Sequence, residues 1–426
     1  MSYETDPDRD SVERLFEDGL DVELRLADSD RETARVLERA LEGRPPAVSE
    51  GTRLLGLRGK DLAALVAVAD SLRREAVGDR VTYVINRNLN WTNVCFVGCK
   101  FCAFARLKRD GEAYDHSMSD LLGRIEEAVA RGATEVCMQG GLNPAMPDDG
   151  YVRIIQTVRS AFPDIHIHAF SPMEIMYGAH RARRSYGDFI DSLIDAGLDS
   201  MPGTAAEILD DDIREVLSHK KLPAAAWEEI VRAAHGLGLP TTSTLMYGHI
   251  ESPVHIAAHL DLLRRIQADT GGFTEFVPLR FIWKNTALYR EGLVKPVPQG
   301  QLDLAVYAVS RLMLSGSIDN LQTSWVKIGH RLSTISLLAG CNDLGGTLME
   351  ESISREAGAD AGVYTSAEQL ETMIKGLGRI PTQRDTLYRI IGGGNGKGSQ
   401  EARPQGHLAG GWGGSGQAPA RPGQAG

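Results

Sequence analysis

Long apolar stretches and an excess of basic residues are both missing from this sequence of 426 residues. No apolar run approaches the roughly 18 residues that a membrane-spanning helix needs. The acidic start, MSYETDPDRDSVERLFEDG, lacks the apolar region of a secretory signal peptide. The net charge of -11 is opposite in sign to that of a broad nucleic-acid-binding surface. We therefore expect a cytoplasmic protein that binds neither a membrane nor a nucleic acid.

Cysteine is also scarce, with five in the whole chain. Cys95, Cys99 and Cys102 lie together in NWTNVCFVGCKFCAFAR, whereas Cys137 and Cys341 stand alone. Three cysteines so close in sequence do not form a disulfide framework, and clustered thiols are typical of metal or redox sites in a reducing compartment. The C-x3-C-x2-C spacing allows one loop to wrap three thiolates around a single metal centre.

Two kinds of metal centre are compatible with this loop. A structural zinc site prefers four tetrahedral ligands, so His116 or Cys137 would have to supply the fourth. Three thiolates also suit a four-iron cluster in which one iron keeps an open coordination position for a second molecule. The non-enzymatic alternative is a metal-stapled binding protein, in which the three cysteines only hold a loop.

From residue 81 onward, short β-rich runs alternate with helical periods, which predicts parallel βα units. The predicted strands are residues 81–86, 134–139, 164–170, 197–201, 240–247, 274–281, 319–327 and 342–348. Eight such units favour an α/β fold of the (β/α)8 barrel type. The short fourth and eighth runs leave a six-stranded partial barrel and an open doubly wound sheet as alternatives.

The segments outside the barrel differ in composition. We expect a charged segment over residues 1–48, loosely helical or disordered, and a helical lead-in over residues 49–80 that covers one end of the barrel. The barrel itself is predicted to occupy residues 81–391. Residues 392–426 are rich in Gly and Pro and are predicted to form a disordered tail.

Several predicted strands carry polar residues that a parallel sheet covered on both faces does not require. Thr242 and Thr244 share one face of TTSTLMY, which indicates a polar lumen. Active sites of barrel enzymes lie at the C-terminal ends of the strands. The polar candidates in or near strand ends are His249, Glu251, Arg280, Lys327 and Asn342. Arg280, Lys327 and Asn342 are alternatively surface charges or turn residues.

The cysteine loop resembles that of the radical S-adenosylmethionine superfamily, with the aromatic Phe101 directly before the last cysteine. The resemblance implies that Cys95, Cys99 and Cys102 hold one 4Fe-4S cluster per chain. It further implies that the open iron of this cluster binds S-adenosyl-L-methionine and that Phe101 lies against the adenine.

Further segments resemble the parts of this superfamily that bind S-adenosyl-L-methionine. VCMQGGLNP is similar to the Gly-rich segment beside the methionine amino group, so the resemblance implies cofactor binding by Gly140 and Gly141. Taken alone, two glycines after a strand indicate only a turn.

Glu174 in SPMEI and Glu207 in GTAAEI are expected to contact S-adenosyl-L-methionine or a substrate. Either glutamate is alternatively an N-terminal helix residue favoured by the helix dipole.

Residues from about 50 to 391 resemble one subgroup, the tyrosine-using component of FO synthase. The stretches that carry this resemblance are HAFSPMEI, MPGTAAEILDDDIREVL, TSTLMYGHIE, TSWVKIG and NDLGGTLMEESISREAGA. The resemblance implies a 5′-deoxyadenosyl radical that takes hydrogen from L-tyrosine, after which the Cα–Cβ bond breaks. The 4-hydroxybenzyl group then joins C5 of 5-amino-6-(D-ribitylamino)uracil and a glycine-derived imine leaves, in biosynthesis of the deazaflavin of coenzyme F-420.

This resemblance also implies ligands and partners. His249, Glu251, Arg280 and Asn342 are expected to bind the amino and carboxylate groups of tyrosine or the ribityl and uracil edges. Because one cluster motif is present, a separate ring-closing radical component is expected as partner, together with an electron donor protein. The nearest alternative is the aminofutalosine synthase of menaquinone biosynthesis, which shares the cluster loop and the YGHIE-like strand end. The stretch NDLGGTLMEESISR favours the tyrosine-using enzyme.

Overall fold

The computed structural model describes residues 9–392. Its helices are α1 (Arg9–Arg14), α2 (Val22–Asp28), α3 (Arg31–Leu41), α4 (Val48–Leu55), α5 (Gly59–Val77), α6 (Met118–Ala130), α7 (Gly150–Ala161), α8 (Pro172–Ala182), α9 (Tyr186–Asp195), α10 (Asp211–Ser218), α11 (Ala224–Gly236), α12 (Pro253–Thr270), α13 (Ala287–Arg290), α14 (Gln301–Leu314), α15 (Trp325–Ser336), α16 (Ser352–Ala357) and α17 (Ala367–Gly376). Its strands are β1 (Arg80–Val84), β2 (Asn86–Leu89), β3 (Glu135–Met138), β4 (His166–Ala169), β5 (Thr241–Tyr247), β6 (Phe273–Arg280), β7 (Asp343–Gly346) and β8 (Ile380–Gln383). The predicted disordered tail lies, except for Gly392, outside the described residues.

The strands form a closed parallel ring. β2 pairs with β3 and β3 with β4, while β5 pairs with β6 and β7 pairs with β1. Single parallel bridges join the remaining neighbours: His168 to Ser200, Met201 to Thr241, Phe276 to Leu321, and Gln322 to Asp343. With β1 and β2 as one interrupted strand, the ring has eight positions. The predicted (β/α)8 barrel is thus confirmed, and its fourth and seventh positions are reduced to bridges.

The fourth position is short because side chains replace its strand pairing. The hydroxyl of Thr242 accepts a hydrogen bond from the backbone N–H of Gly203 at 2.9 Å, and the hydroxyl of Thr244 donates to the carbonyl of Gly203 at 2.9 Å. Gly203 approaches β5 so closely that a Cβ would overlap the carbonyl of Thr242. The lumen-facing threonines of β5 therefore hold the neighbouring chain in place.

The seventh position differs from the predicted strand 319–327. Only Leu321 and Gln322 make bridges there, and Trp325 begins helix α15. Lys327 consequently lies in the first turn of a helix at the C-terminal end of the barrel. The run of β-branched and aromatic residues in QTSWVKI indicated a strand, but the chain turns into a helix after Ser324.

The sequence did not predict β8, which closes the N-terminal end of the barrel. β8 pairs in parallel with β1, from Arg80 opposite Ile380 to Tyr83 opposite Gln383. We call the residues that follow it, Arg384–Tyr388, the floor segment. Its side chains contact residues near the starts of three strands: Asp343 of β7, Glu275 of β6 and Glu135 of β3.

The segment before the barrel is helical and packed. Asp30 accepts hydrogen bonds from the N–H groups of Glu32 and Thr33 and so begins α3, which buries Val36, Leu37 and Ala40. We expected loose helices or disorder there, and the structure shows capped helices that contribute to the core. Helix α5 packs against α14 and leads directly into β1. Within the described residues, no helix is long and apolar enough to cross a membrane.

A buried histidine ties the loop after the fourth position to β5. The ring of His259, on α12, lies 3.2 Å from the backbone N–H of Leu209 and 3.0 Å from the carbonyl oxygen of Thr244. A neutral imidazole satisfies both contacts, with Nδ1 accepting from Leu209 and Nε2–H donating to Thr244. Burial lowers the pKa of His259 to about 3.

Acid should therefore destabilise the fold through His259. The unfolded chain binds a proton here below its ordinary pKa of about 6.5, whereas the folded chain does not. This contribution to stability is complete above pH 6.5 and is lost at about 1.4 kcal/mol per pH unit as the pH falls. The amide of His259→Gln stays neutral. Between pH 7 and 5, the free energy of unfolding measured in urea should therefore depend less steeply on pH for this variant than for the wild type, and the difference should correspond to about one proton. Equal slopes for the two proteins would contradict this account.

Candidate active site

A cavity of about 420 Å³ occupies the lumen of the barrel. Its upper wall includes the cysteine loop, which follows β2, and its lower wall includes Arg384 and Thr386 of the floor segment. Between them lie polar side chains from several strands and loops: Asn86, Asn88, Asn90, Gln139, His168, Thr204, Thr242, Thr244 and Gln322. The polar lumen expected from the strand sequences is present.

All three clustered cysteines line this cavity as free thiols. Burial raises the pKa of each thiol, and a neighbouring member of the trio raises it further: Cys99 acts on Cys95, Cys102 on Cys99, and Cys95 on Cys102. The three thiols share the wall of one cavity, although within residues 9–392 no three His, Cys, Asp or Glu side chains are arranged around a single metal ion. A strong positive centre is needed to hold them as thiolates. Iron in a cluster meets this need, so the residues fit the 4Fe-4S group.

The two glycines after β3 lie where the cysteine loop packs against the strand. A Cβ on Gly140 would lie 2.5 Å from Cε2 of Trp91, and one on Gly141 would overlap the carbonyl oxygen of Val94. The N–H of Gly141 donates to the carbonyl of Thr92 at 2.8 Å. Glycine is required at both positions because any side chain would displace the loop that carries the cysteines.

Glu174 is an N-terminal helix residue, and its side chain also lies on the cavity wall. It is the third residue of α8 in a capping box, where its Oε2 accepts hydrogen bonds from the N–H and hydroxyl of Ser171 at 2.8 and 2.6 Å. Its Oε1 accepts from the N–H of Gly140 at 3.0 Å, and its side chain lines the cavity. Burial raises the pKa of Glu174 to about 7.

Glu207 lies in the loop before α10 rather than in a helix, since Asp210 caps that helix. Its carboxylate accepts a hydrogen bond from Nζ of Lys221 at 2.5 Å, and both side chains line the cavity. The same Nζ lies 4.9 Å from the ring centroid of Phe101, which also lines the cavity. An acidic, a basic and an aromatic group thus meet beside the cysteine loop.

Of the predicted substrate ligands, only Arg280 lines the cavity, and its guanidinium is already bonded. Nη1 lies 2.5 Å from Oδ1 of Asp303, and Nη2 donates to the carbonyls of Val297 and Pro298. Arg280 therefore anchors the loop before α14, and this leaves the guanidinium few donors for a ligand.

The other three predicted substrate ligands lie outside the residues that line the cavity. Nδ1 of His249 is 3.1 Å from the carboxylate of Glu251, and the imidazole stands edge-on to Phe281 behind the cavity wall. Oδ1 of Asn342 accepts hydrogen bonds from Arg311 at 2.9 Å and from the N–H of Leu321 at 2.8 Å. The structure thus places these side chains in support of the barrel wall.

Sequence reasoning overlooked several residues at the cavity. Lys221 belongs to no motif, and only the fold brings it to Glu207. The side-chain amides of Asn88 and Gln322 line the cavity, and within residues 9–392 neither makes a hydrogen bond. The buried Oδ1 of Asn90 is likewise unpaired in this part of the chain. Their position in the lumen follows from strand register, which composition does not reveal.

Comparison with known proteins agrees with this geometry. A model of the radical SAM superfamily matches residues 89–263, and a model of the CofH/MqnC C-terminal region matches residues 270–392. The 5-amino-6-(D-ribitylamino)uracil--L-tyrosine 4-hydroxyphenyl transferase of Methanothermobacter thermautotrophicus is 49% identical over 84% of this chain and 98% of the relative. The chain belongs to the radical SAM superfamily. This family membership implies a 4Fe-4S cluster and S-adenosyl-L-methionine as cofactors.

Other relatives of this radical SAM chain differ in length. The transferase of the same name from Methanocaldococcus jannaschii is 50% identical over 77% of this chain and 92% of the relative. The FO synthase of Mycobacterium tuberculosis is 49% identical over 83% of this chain, which covers only 42% of that protein. This chain thus corresponds to less than half of FO synthase.

Solved structures of low sequence identity share the fold. Methylornithine synthase superposes with a TM-score of 0.62 at 16% identity, covering 81% of this chain and 97% of that structure. The FeFe-hydrogenase maturase HydG from Carboxydothermus hydrogenoformans superposes with a TM-score of 0.63 at 15% identity, covering 89% and 85%. At such identities the likeness establishes the barrel architecture alone.

Proposed function

We propose that this enzyme transfers the 4-hydroxybenzyl group of L-tyrosine to C5 of 5-amino-6-(D-ribitylamino)uracil, in biosynthesis of the deazaflavin FO. The observation that carries the proposal is the 49% identity with the archaeal transferase over 98% of that relative's length. The family models match residues 89–263 and 270–392, which include most of the residues that line the cavity. The three cysteine thiols at the top of the cavity supply the site that radical chemistry requires.

Within the proposed reaction, Cys95, Cys99 and Cys102 hold the 4Fe-4S cluster. When bound, the reduced cluster and S-adenosyl-L-methionine would supply the radical chemistry that removes a hydrogen atom from tyrosine. The backbone at Gly140 and Gly141, together with Glu174, Glu207 and Phe101, is proposed to bind S-adenosyl-L-methionine beside the cluster. All these residues line the cavity, which supports their assignment to this cofactor.

The barrel wall contributes exclusion of water and orientation of the two substrates. A carbon radical must be kept from side reactions and held close to its target, which an enclosed lumen achieves. Within residues 9–392, the side-chain amides of Asn88 and Gln322 and Oδ1 of Asn90 make no hydrogen bond, so they offer donors and acceptors to the imide edge of a uracil or to ribityl hydroxyls. These groups support the assignment of a polar second substrate to the lumen.

The experiment that tests this function uses anaerobically reconstituted protein, a reductant and S-adenosyl-L-methionine. Incubation with tyrosine and the ribitylaminouracil should yield 5′-deoxyadenosine and a hydroxybenzyl adduct of the uracil, both detected by mass spectrometry. Omission of either substrate should remove the adduct. Formation of 5′-deoxyadenosine without adduct, or an adduct formed on an enolpyruvyl compound instead, would overturn the proposal.

Two partners follow from the proposed reaction. The adduct still lacks the closed central ring of a deazaflavin, so a ring-closing radical component must act on it. The FO synthase of Mycobacterium tuberculosis has further sequence beyond the 42% that this chain covers. An electron donor protein is also proposed, since reduction of the cluster needs an external electron.

A further inference from the structure

Within the described residues, four lysine or arginine side chains line the cavity, and three of them already have anionic partners. Lys221 is bonded to Glu207 at 2.5 Å, Arg280 to Asp303 at 2.5 Å, and Arg384 to Asp343 at 2.5 Å. Lys327 is the fourth, and within residues 9–392 its ammonium group makes neither a hydrogen bond nor an ion pair. It is therefore the cavity cation in this part of the chain that remains available to a ligand.

Lys327 is placed unfavourably for a cation without a partner. Burial lowers the pKa of its ammonium group, while the charges of Glu351 and Cys102 act in the opposite sense. Removing a charge from water without pairing it is costly, and an anionic ligand would repay that cost. The influence of Cys102 also places the ammonium near the cysteine loop.

Glu351 supplies a complementary charge on the same wall. It is 6% exposed and lines the cavity, and Oε2 accepts a hydrogen bond from the N–H of Ser354 at 2.8 Å. Glu351 makes no ion pair in the described chain, and its carboxylate is more than 4.0 Å from Nζ of Lys327. The buried hydroxyl of Ser354 also lines the cavity and has no hydrogen-bond partner in the part of the chain that the structure describes. A cation and an anion thus face the lumen without contacting each other.

The position of this pair in the ring separates it from the residues proposed to bind S-adenosyl-L-methionine. Lys327 follows the seventh position of the barrel, and Glu351 follows β7 at the eighth. Phe101 lies in the cysteine loop itself, which follows the first position, and the other proposed S-adenosyl-L-methionine ligands follow the second, third and fourth positions. A molecule bound at Lys327 and Glu351 would therefore approach the cysteine loop from the other side of the lumen.

We propose that Lys327 and Glu351 bind the α-amino-acid end of the substrate, Lys327 its α-carboxylate and Glu351 its α-ammonium group. A zwitterion is the ligand that satisfies both charges at once. With the amino acid held at these two points, its side chain would extend into the lumen toward the amides of Asn88 and Gln322. The zwitterion class rests on the geometry, whereas the identification of this amino acid as tyrosine rests on the proposed function.

The test compares tyrosine with two analogues, each lacking one charged group, by anaerobic equilibrium dialysis against reconstituted enzyme with S-adenosyl-L-methionine. Lys327→Met should weaken tyrosine binding by about 30-fold or more and leave the binding of tyramine, which has no carboxylate, unchanged. Glu351→Gln should weaken tyrosine binding and leave that of 3-(4-hydroxyphenyl)propionate, which has no ammonium group, unchanged. Lys327→Arg should retain most of the affinity because it keeps the charge.

The matched control is Lys284→Met, which removes an exposed lysine that pairs with Asp360. It should bind tyrosine as the wild type does, and all variants should retain the iron content and thermal midpoint of the wild type. Equal losses for tyrosine and tyramine in Lys327→Met would overturn the proposal. If the wild type binds tyrosine and forms the adduct while both variants bind tyrosine normally, the binding site at Lys327 and Glu351 is wrong but the proposed function is not. If no adduct forms but Lys327→Met still abolishes amino-acid binding, the proposed function fails instead.

Discussion

Replacing Cys99 by serine should reduce the formation of 5′-deoxyadenosine to the background of an assay without protein. Cys99 is one of three thiols that line the top of the cavity, and its Sγ accepts a hydrogen bond from the hydroxyl of Ser218 at 3.1 Å. A serine hydroxyl does not deprotonate readily enough to replace a thiolate on iron, so a cluster with two cysteine ligands remains. Iron analysis and the visible absorption of the reconstituted variant measure this loss directly.

Cys137→Ser provides the matched control for the cluster. Cys137 also lines the cavity, but burial raises the pKa of its thiol to about 12, so it stays protonated at neutral pH. The Nε2 of Gln139 lies 3.5 Å from its sulfur. We expect this variant to keep the iron content and the 5′-deoxyadenosine yield of the wild type. A cluster lost from Cys137→Ser but kept in Cys99→Ser would reverse the assignment of the ligands.

Replacing Arg384 by methionine should lower the free energy of unfolding by about 3–5 kcal/mol. Arg384 is 2% exposed, with Nε 2.5 Å from Oδ2 of Asp343 and Nη2 3.3 Å from Oε2 of Glu275. Its guanidinium also lies 4.0 Å from the ring centroid of Tyr388. Removing this cation leaves two carboxylates buried near each other at the N-terminal end of the barrel. Anaerobic urea unfolding of the variant and the wild type measures the difference.

Arg389→Met is the control for the floor segment. Arg389 follows Tyr388 directly and pairs with Asp385 at 2.5 Å, but its side chain is 74% exposed. Exposed ion pairs contribute little, so the free energy of unfolding should change by at most about 1 kcal/mol. If the two variants lose similar amounts of unfolding free energy, the buried ion pair between Arg384 and Asp343 has no special effect on stability.

The barrel and the cysteine trio follow from local patterns. C-x3-C-x2-C places three thiols within one loop, so their proximity needs no information from distant parts of the chain. The alternation of strands and helices likewise predicts parallel βα units from short-range periodicity. The capping box from Ser171 to Glu174 is also local, and it begins helix α8 at the position that the sequence indicates.

Local sequence patterns do not predict which polar side chains reach the lumen with hydrogen-bonding groups still available to a ligand. Arg280 and Asn342 had the right residue type at the right strand ends, yet Asp303 and Arg311, distant in sequence, occupy their hydrogen-bonding groups. The sequence pattern predicts a strand at Lys327, and only the turn into α15 brings this residue to the cavity wall.

The sequence by itself determined the cluster loop and the barrel class, because both depend on spacings of a few residues. The tertiary structure alone decided that the floor segment contributes to the cavity wall and that, within residues 9–392, Lys327 and Glu351 make no ion pair. The physical reason is that a charged side chain forms an ion pair only if folding brings an oppositely charged group within about 4 Å of it. Those partners come from other strands and loops, so no local pattern specifies them.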